Sequence, residues 1–204
     1  MRLIVSPGSG CTWADHWYVD SACRAKLQLG AAIRCVLQWN ADFHTIDQRA
    51  HPNDWKAVLL ESQLLAGPSH NTILLGHSSG GNAALQVAER LPVGALIVVG
   101  AGYSGWDRRI GGIQPWNYDA IVANVRKSIV VLHGADDRVI CSSEGEAIAQ
   151  GLRAAVARLG GASAPQLDIR IGEAGVGHAM QRLCPALLLQ VLTAVANELL
   201  RDAA

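Results

Sequence analysis

Short, unbroken apolar runs recur along this chain and alternate with stretches of helical periodicity. Leu3-Ile4-Val5 is the first run, and the turn formers Ser6-Pro7-Gly8-Ser9-Gly10 end it. A helix is expected over 15–29, then a strand over Arg34-Cys35-Val36-Leu37-Gln38-Trp39. His51-Pro52-Asn53-Asp54 reads as a helix start, and the helix should run over 52–66 with Trp55, Val58, Leu59 and Ser62 on one face. Strands follow at 72–75, 95–99, 129–132 and 167–171, with helices over 82–90, 145–159 and 186–200. The stretch 100–115, rich in glycine and aromatics, reads as irregular. Six strands alternate with helices. Strands that are apolar on both faces predict a parallel sheet covered on both sides, an α/β fold.

Composition narrows the function classes. The chain has 204 residues, enough for one domain spanning 1–204, and half of them are hydrophobic. Seventeen basic and seventeen acidic side chains cancel, so no global field attracts nucleic acid or an anionic membrane. No apolar window reaches the length of a membrane span, and the N-terminal run is too short for a secretory signal. The five cysteines, Cys11, Cys23, Cys35, Cys141 and Cys184, are scattered and odd in number. They suggest reduced thiols in a cytoplasmic protein rather than a disulfide frame or zinc site. His16, His44, His51 and His70 lack metal-ligand spacing and read as surface or capping residues. No metal or organic cofactor is expected.

The sharpest chemical signal is Gly76-His77-Ser78-Ser79-Gly80, a G-x-S-x-G placed where a strand ends and a helix begins. The pentapeptide alone is weak, since about one chain in ten of this length carries it by chance. Its strand-to-helix context is the discriminating feature: a turn tight enough to need glycines lifts the serine hydroxyl clear of the sheet. A serine nucleophile needs a base, and the base an orienting carboxylate. Both follow in order. His133-Gly134-Ala135-Asp136-Asp137-Arg138-Val139 succeeds the fifth strand, and Gly175-Val176-Gly177-His178 the sixth. Asp137 is preferred over Asp136 as the acid by its spacing from Gly134 and Val139, with Asp136 the alternative. His77 is set aside as base because its place in the turn points it away from the Ser78 hydroxyl. The backbone N–H groups of Ser79 and of Ser9, in the loop after the first strand, are candidate oxyanion donors. Gly8-Ser9-Gly10 lacks the third glycine of a dinucleotide fingerprint and the Lys-Ser/Thr of a Walker loop, so a nucleotide site is not expected. Tyr103, Trp106 and Trp116 are candidates for lining an acyl pocket, or equally for covering the core.

With these residues in place, the chain resembles the α/β-hydrolase superfamily, and within it the small, lidless serine hydrolases of the retinoblastoma-binding protein 9-like group. The likeness runs from Leu3 to the C-terminal helix and includes Asp15-His16-Trp17, Trp55, Gly76-His77-Ser78, Asp136-Asp137 and Gly177-His178. It implies a three-layer, doubly wound fold without a large lid, a mainly parallel sheet of order 2-1-3-4-5-6, and a triad of Ser78, Asp137 and His178. It also implies hydrolysis of small esters or related acyl compounds; a monomer or small homo-oligomer is expected. Two positions depart from the pattern: Ser79 stands where leucine is common and Arg138 where proline is frequent. A second expectation is kept open, an interaction module on a hydrolase fold with weak or vestigial activity. The Leu-x-Cys-x-Glu retinoblastoma-binding motif does not occur.

Overall fold

The computed structural model describes residues 1–6, 8, 34–37, 52–102, 116–161, 163–173, 177–178 and 185–201. The expected helix over 15–29 and the residues Ser9, Tyr103 and Trp106 lie outside them. Six strands form one sheet: β1 (Arg2–Ser6), β2 (Arg34–Leu37), β3 (Thr72–His77), β4 (Val93–Val99), β5 (Val125–Gly134) and β6 (Gln166–Glu173). Every pairing is parallel, and the spatial order is β2-β1-β3-β4-β5-β6, as the resemblance implies. The described helices are α1 (Pro52–Leu65), α2 (Ser79–Ala88), α3 (Tyr118–Asn124), α4 (Ser142–Leu159) and α5 (Pro185–Arg201).

Alternate residues of the central strands enter separate cores. Ile4, Leu74, Leu96, Val98, Ile129 and Val131 pack on one face against α1, α2, α3 and α4. Leu3, Val5, Ile73, Leu75, Ile97 and Val130 pack on the other against α5. This is the period-two alternation of a strand with both faces covered. Leu74 and Leu96 are fully buried, and each such side chain contributes roughly 1.5–3 kcal/mol. Arg2 ties the first strand to α1: its guanidinium donates to the carbonyls of Gln63 and Leu64 at 2.9 and 2.7 Å, satisfying acceptors of the last helical turn.

Two features add to those expectations. The buried face of α1 is Ala57, Leu60 and Leu64, whereas Val58 and Leu59 are 61% and 40% exposed and Ser62 is also exposed. Helix α3 was not expected at all. Seven residues show too little periodicity, but Asn117 caps it, its side chain accepting from the Ala120 N–H at 3.1 Å.

Candidate active site

The ends of β3, β5 and β6 bring three side chains together. Ser78 follows β3 and opens onto α2 with φ 55° and ψ −124°, the only non-glycine at positive φ among the described residues. The turn closes so tightly that a Cβ on Gly76 would overlap the carbonyl of Gly80. The chain is held there by backbone bonds, Ser78 N–H to Val99 O at 2.9 Å, and Gly81 and Asn82 N–H to Ser78 O at 2.9 and 3.1 Å.

His178 follows β6. Its Nδ1 lies 2.7 Å from Asp137 Oδ2 and its Nε2 lies 2.9 Å from Ser78 Oγ. A carboxylate only accepts, so Nδ1 carries a proton, and a ring protonated there alone accepts from the Ser78 hydroxyl through Nε2. Asp137, in the turn after β5, is buried. Its Oδ1 accepts from the N–H groups of Val139 and Ile140 at 2.9 and 2.8 Å, which leaves Oδ2 directed at the imidazole. Asp136, its neighbour, is exposed. The side chain that meets His178 is therefore Asp137.

Three glycines shape the surroundings. Gly100, at the end of β4 with φ 53°, lies beneath the pair: a Cβ built there would stand 3.6 Å from both Asp137 Oδ2 and His178 Nδ1. A Cβ on Gly8 would stand 3.0 Å from Ser78 Cβ and from His77 Nδ1, so Gly8 lies against the elbow. A Cβ on Gly145, in the first turn of α4, would stand 2.5 Å from His133 Nδ1.

Two histidines have contacts that sequence reasoning did not anticipate. His77 is buried, and its Nε2 donates to the backbone carbonyl of His178 at 2.7 Å. His133, in β5, is also buried, with Nε2 2.9 Å from Ile140 O and 3.3 Å from Asp137 Oδ2. The only sequence signal for either was adjacency to the elbow or to the aspartate loop.

Ser79 begins α2 and is buried. Asn82, one turn on, accepts from the Gly102 N–H at 3.1 Å and so anchors the chain leaving β4. Trp116 is not brought to this cluster. The next residue, Asn117, donates its N–H to the carboxylate of Glu89 at the far end of α2, roughly 16 Å along the helix from Ser78. Trp116 instead packs on the core formed with α1 to α4. Of its two expected roles, covering the core is the one this packing matches. Cys141, at the start of α4, is exposed, and hydrogen bonds from Ser143 draw its thiol below the ordinary cysteine range. Among the described residues no group of side chains could hold a metal ion, and no helix is long and apolar enough to cross a membrane.

No family model matches this sequence, and no curated protein matches it. Solved structures do. MGS-MChE2, an α/β hydrolase enzyme from the metagenome of lagoon sediments at Mar Chica, Morocco, is similar at a TM-score of 0.65 and 17% identity, over 99% of this chain and 92% of that one. SOBER1 of Arabidopsis thaliana is similar at 0.61 and 14% identity, over 98% and 99% of the two chains. Esterase PE8 is similar at 0.61 and 17% identity, over 95% and 92%. With the all-parallel sheet, its strand order and the helices on both faces, these likenesses establish that the chain has the α/β-hydrolase fold.

Proposed function

We propose that this chain is a serine hydrolase that cleaves small esters or related acyl compounds through an acyl-enzyme, with Ser78 as nucleophile, His178 as base and Asp137 as the orienting acid. The observation that carries the reading is the unbroken hydrogen-bonded line Ser78–His178–Asp137 at a strained strand-to-helix turn. In the first step Ser78 Oγ bonds to the acyl carbon while its proton passes to His178 Nε2. Asp137 holds the Nδ1 proton and stabilises the imidazolium. The tetrahedral oxyanion is held by the N–H of Ser79, at the N-terminus of α2, and by that of Ser9, next to Gly8, which lies against the elbow. The carbon–leaving-group bond then breaks as His178 returns the proton to the alcohol. Water repeats the sequence to free the acid.

The proposed class is carboxylesterase-like, within the small, lidless retinoblastoma-binding protein 9-like group. Thioesters, lactones and short peptides fall within the same chemistry. A structural neighbour that is itself an esterase, PE8, accords with the reading.

A fluorophosphonate probe tests it directly. Wild-type protein should be labelled and Ser78→Ala should not; an unlabelled wild type, or a labelled variant, sinks the proposal. A panel of p-nitrophenyl esters of increasing chain length, with aryl amides and thioesters, then identifies the acyl class.

A further inference from the structure

The geometry points to His133 as a positioning residue for Asp137, a role that rests on the triad proposed above. His133 Nε2 is 2.9 Å from the Ile140 carbonyl, which can only accept, so the ring proton sits on Nε2. That same N–H lies 3.3 Å from Asp137 Oδ2, the oxygen that also receives His178 Nδ1 at 2.7 Å. The hydrogen bond belongs to Ile140, while the carboxylate feels the positive end of the N–H dipole at close range inside a buried site.

The opposite side of the ring is closed. Among the described residues His133 Nδ1 is buried without a hydrogen-bond partner, and Gly145 presses so close that it leaves no room for a side chain. A proton on Nδ1 would be a buried donor with no acceptor, which is costly. Packing therefore selects one tautomer and one ring position. The Ile140 residue whose carbonyl accepts from His133 also donates its N–H to Asp137 Oδ1. His133 thus grips the acid turn in two ways. It pins the backbone that holds Oδ1, and it presents a dipole to Oδ2. Neither contact reaches the substrate, so its effect passes through the orientation of Asp137 toward His178.

Replacement with a group that keeps a donor near Nε2 should be distinguishable from one that keeps only volume. His133→Phe should lower kcat about 10- to 100-fold with KM nearly unchanged, the size of effect expected when one buried hydrogen bond is lost. His133→Gln should recover most of the loss. The low-field proton resonance of the Asp137–His178 hydrogen bond should move in the Phe variant and return toward its wild-type position in the Gln variant. Equal kcat for Phe and Gln, or a Phe variant as fast as wild type, overturns the inference. Should the variants fail to fold, the ring nitrogens of wild-type His133, read by 15N NMR, still decide: a proton on Nδ1 rather than Nε2 refutes it. Both resonance measurements work on protein that turns over no ester, so failure of the hydrolase reading and failure of this one are separable.

Discussion

The ring of His77 holds the main chain of His178, its Nε2–H donating 2.7 Å to the carbonyl oxygen across 101 residues of sequence. The residue beside the proposed nucleophile therefore acts on the backbone of the proposed base, and not on the serine hydroxyl. Because His77 is buried, losing this bond leaves the carbonyl without its partner at a cost of about 1–3 kcal/mol. In His77→Phe, amide exchange at Gly177 and His178 should rise about tenfold or more, since about 1.4 kcal/mol is a factor of ten. Exchange in β3 should stay slow. Uniform acceleration across the sheet would instead mean general destabilisation.

Ser78 stores backbone strain. A non-glycine at this φ/ψ costs about 1–3 kcal/mol, against roughly 0.5–1 kcal/mol for the extra chain entropy of a glycine. Ser78→Gly should therefore be more stable than Ser78→Ala by about 1 kcal/mol, or roughly 2–4 °C in Tm for a domain of this size. Both variants should be inactive. Equal melting temperatures would show that the turn is not strained.

The two aspartates separate cleanly. Asp137→Asn keeps the shape but disturbs the imidazole tautomer, and kcat for ester hydrolysis should fall by about 10⁴. Asp136→Asn alters an exposed side chain and should leave kcat near wild type. Steady-state kinetics of the pair checks the assignment; the reverse pattern would hand the role to Asp136.

Cys141 offers a pH test. Its thiol is drawn below the ordinary range chiefly by the Ser143 hydroxyl, so the thiolate is present at lower pH than in an unperturbed cysteine. The rate of iodoacetamide alkylation at Cys141 should rise with pH through a midpoint on the acid side of an ordinary thiol. In Ser143→Ala that midpoint should move back up. A midpoint unaffected by Ser143→Ala would remove the hydrogen bond as its cause.

Much of this architecture was legible because buried parallel strands are written as apolar runs, and because the elbow is a local steric requirement. Gly76, Ser78 and the order of Asp137 and His178 could be read without coordinates. Strand ends were harder. β3 extends to His77 and β5 through Ser128 and His133, polar residues that the sheet buries and that an apolar-run criterion cuts off. α3 is too short to show a period. For Trp116 the residue pattern left pocket and core cover equally open, because composition cannot say where an aromatic packs. The contacts of His77 and His133 depend on loops that meet only in three dimensions, and their donors are set by tautomers that no residue pattern encodes.

The strand order has a consequence for synthesis on the ribosome. The elbow depends on β3 and on its neighbour β4, all complete once residue 100 has been made. The proposed base, His178, comes 100 residues after Ser78, behind the edge strand β6. The proposed nucleophile is thus made well before the proposed base. Because domains fold as units once their sequence has emerged, the proposed Ser78–His178 pair would form only when β6 docks on β5, late in synthesis.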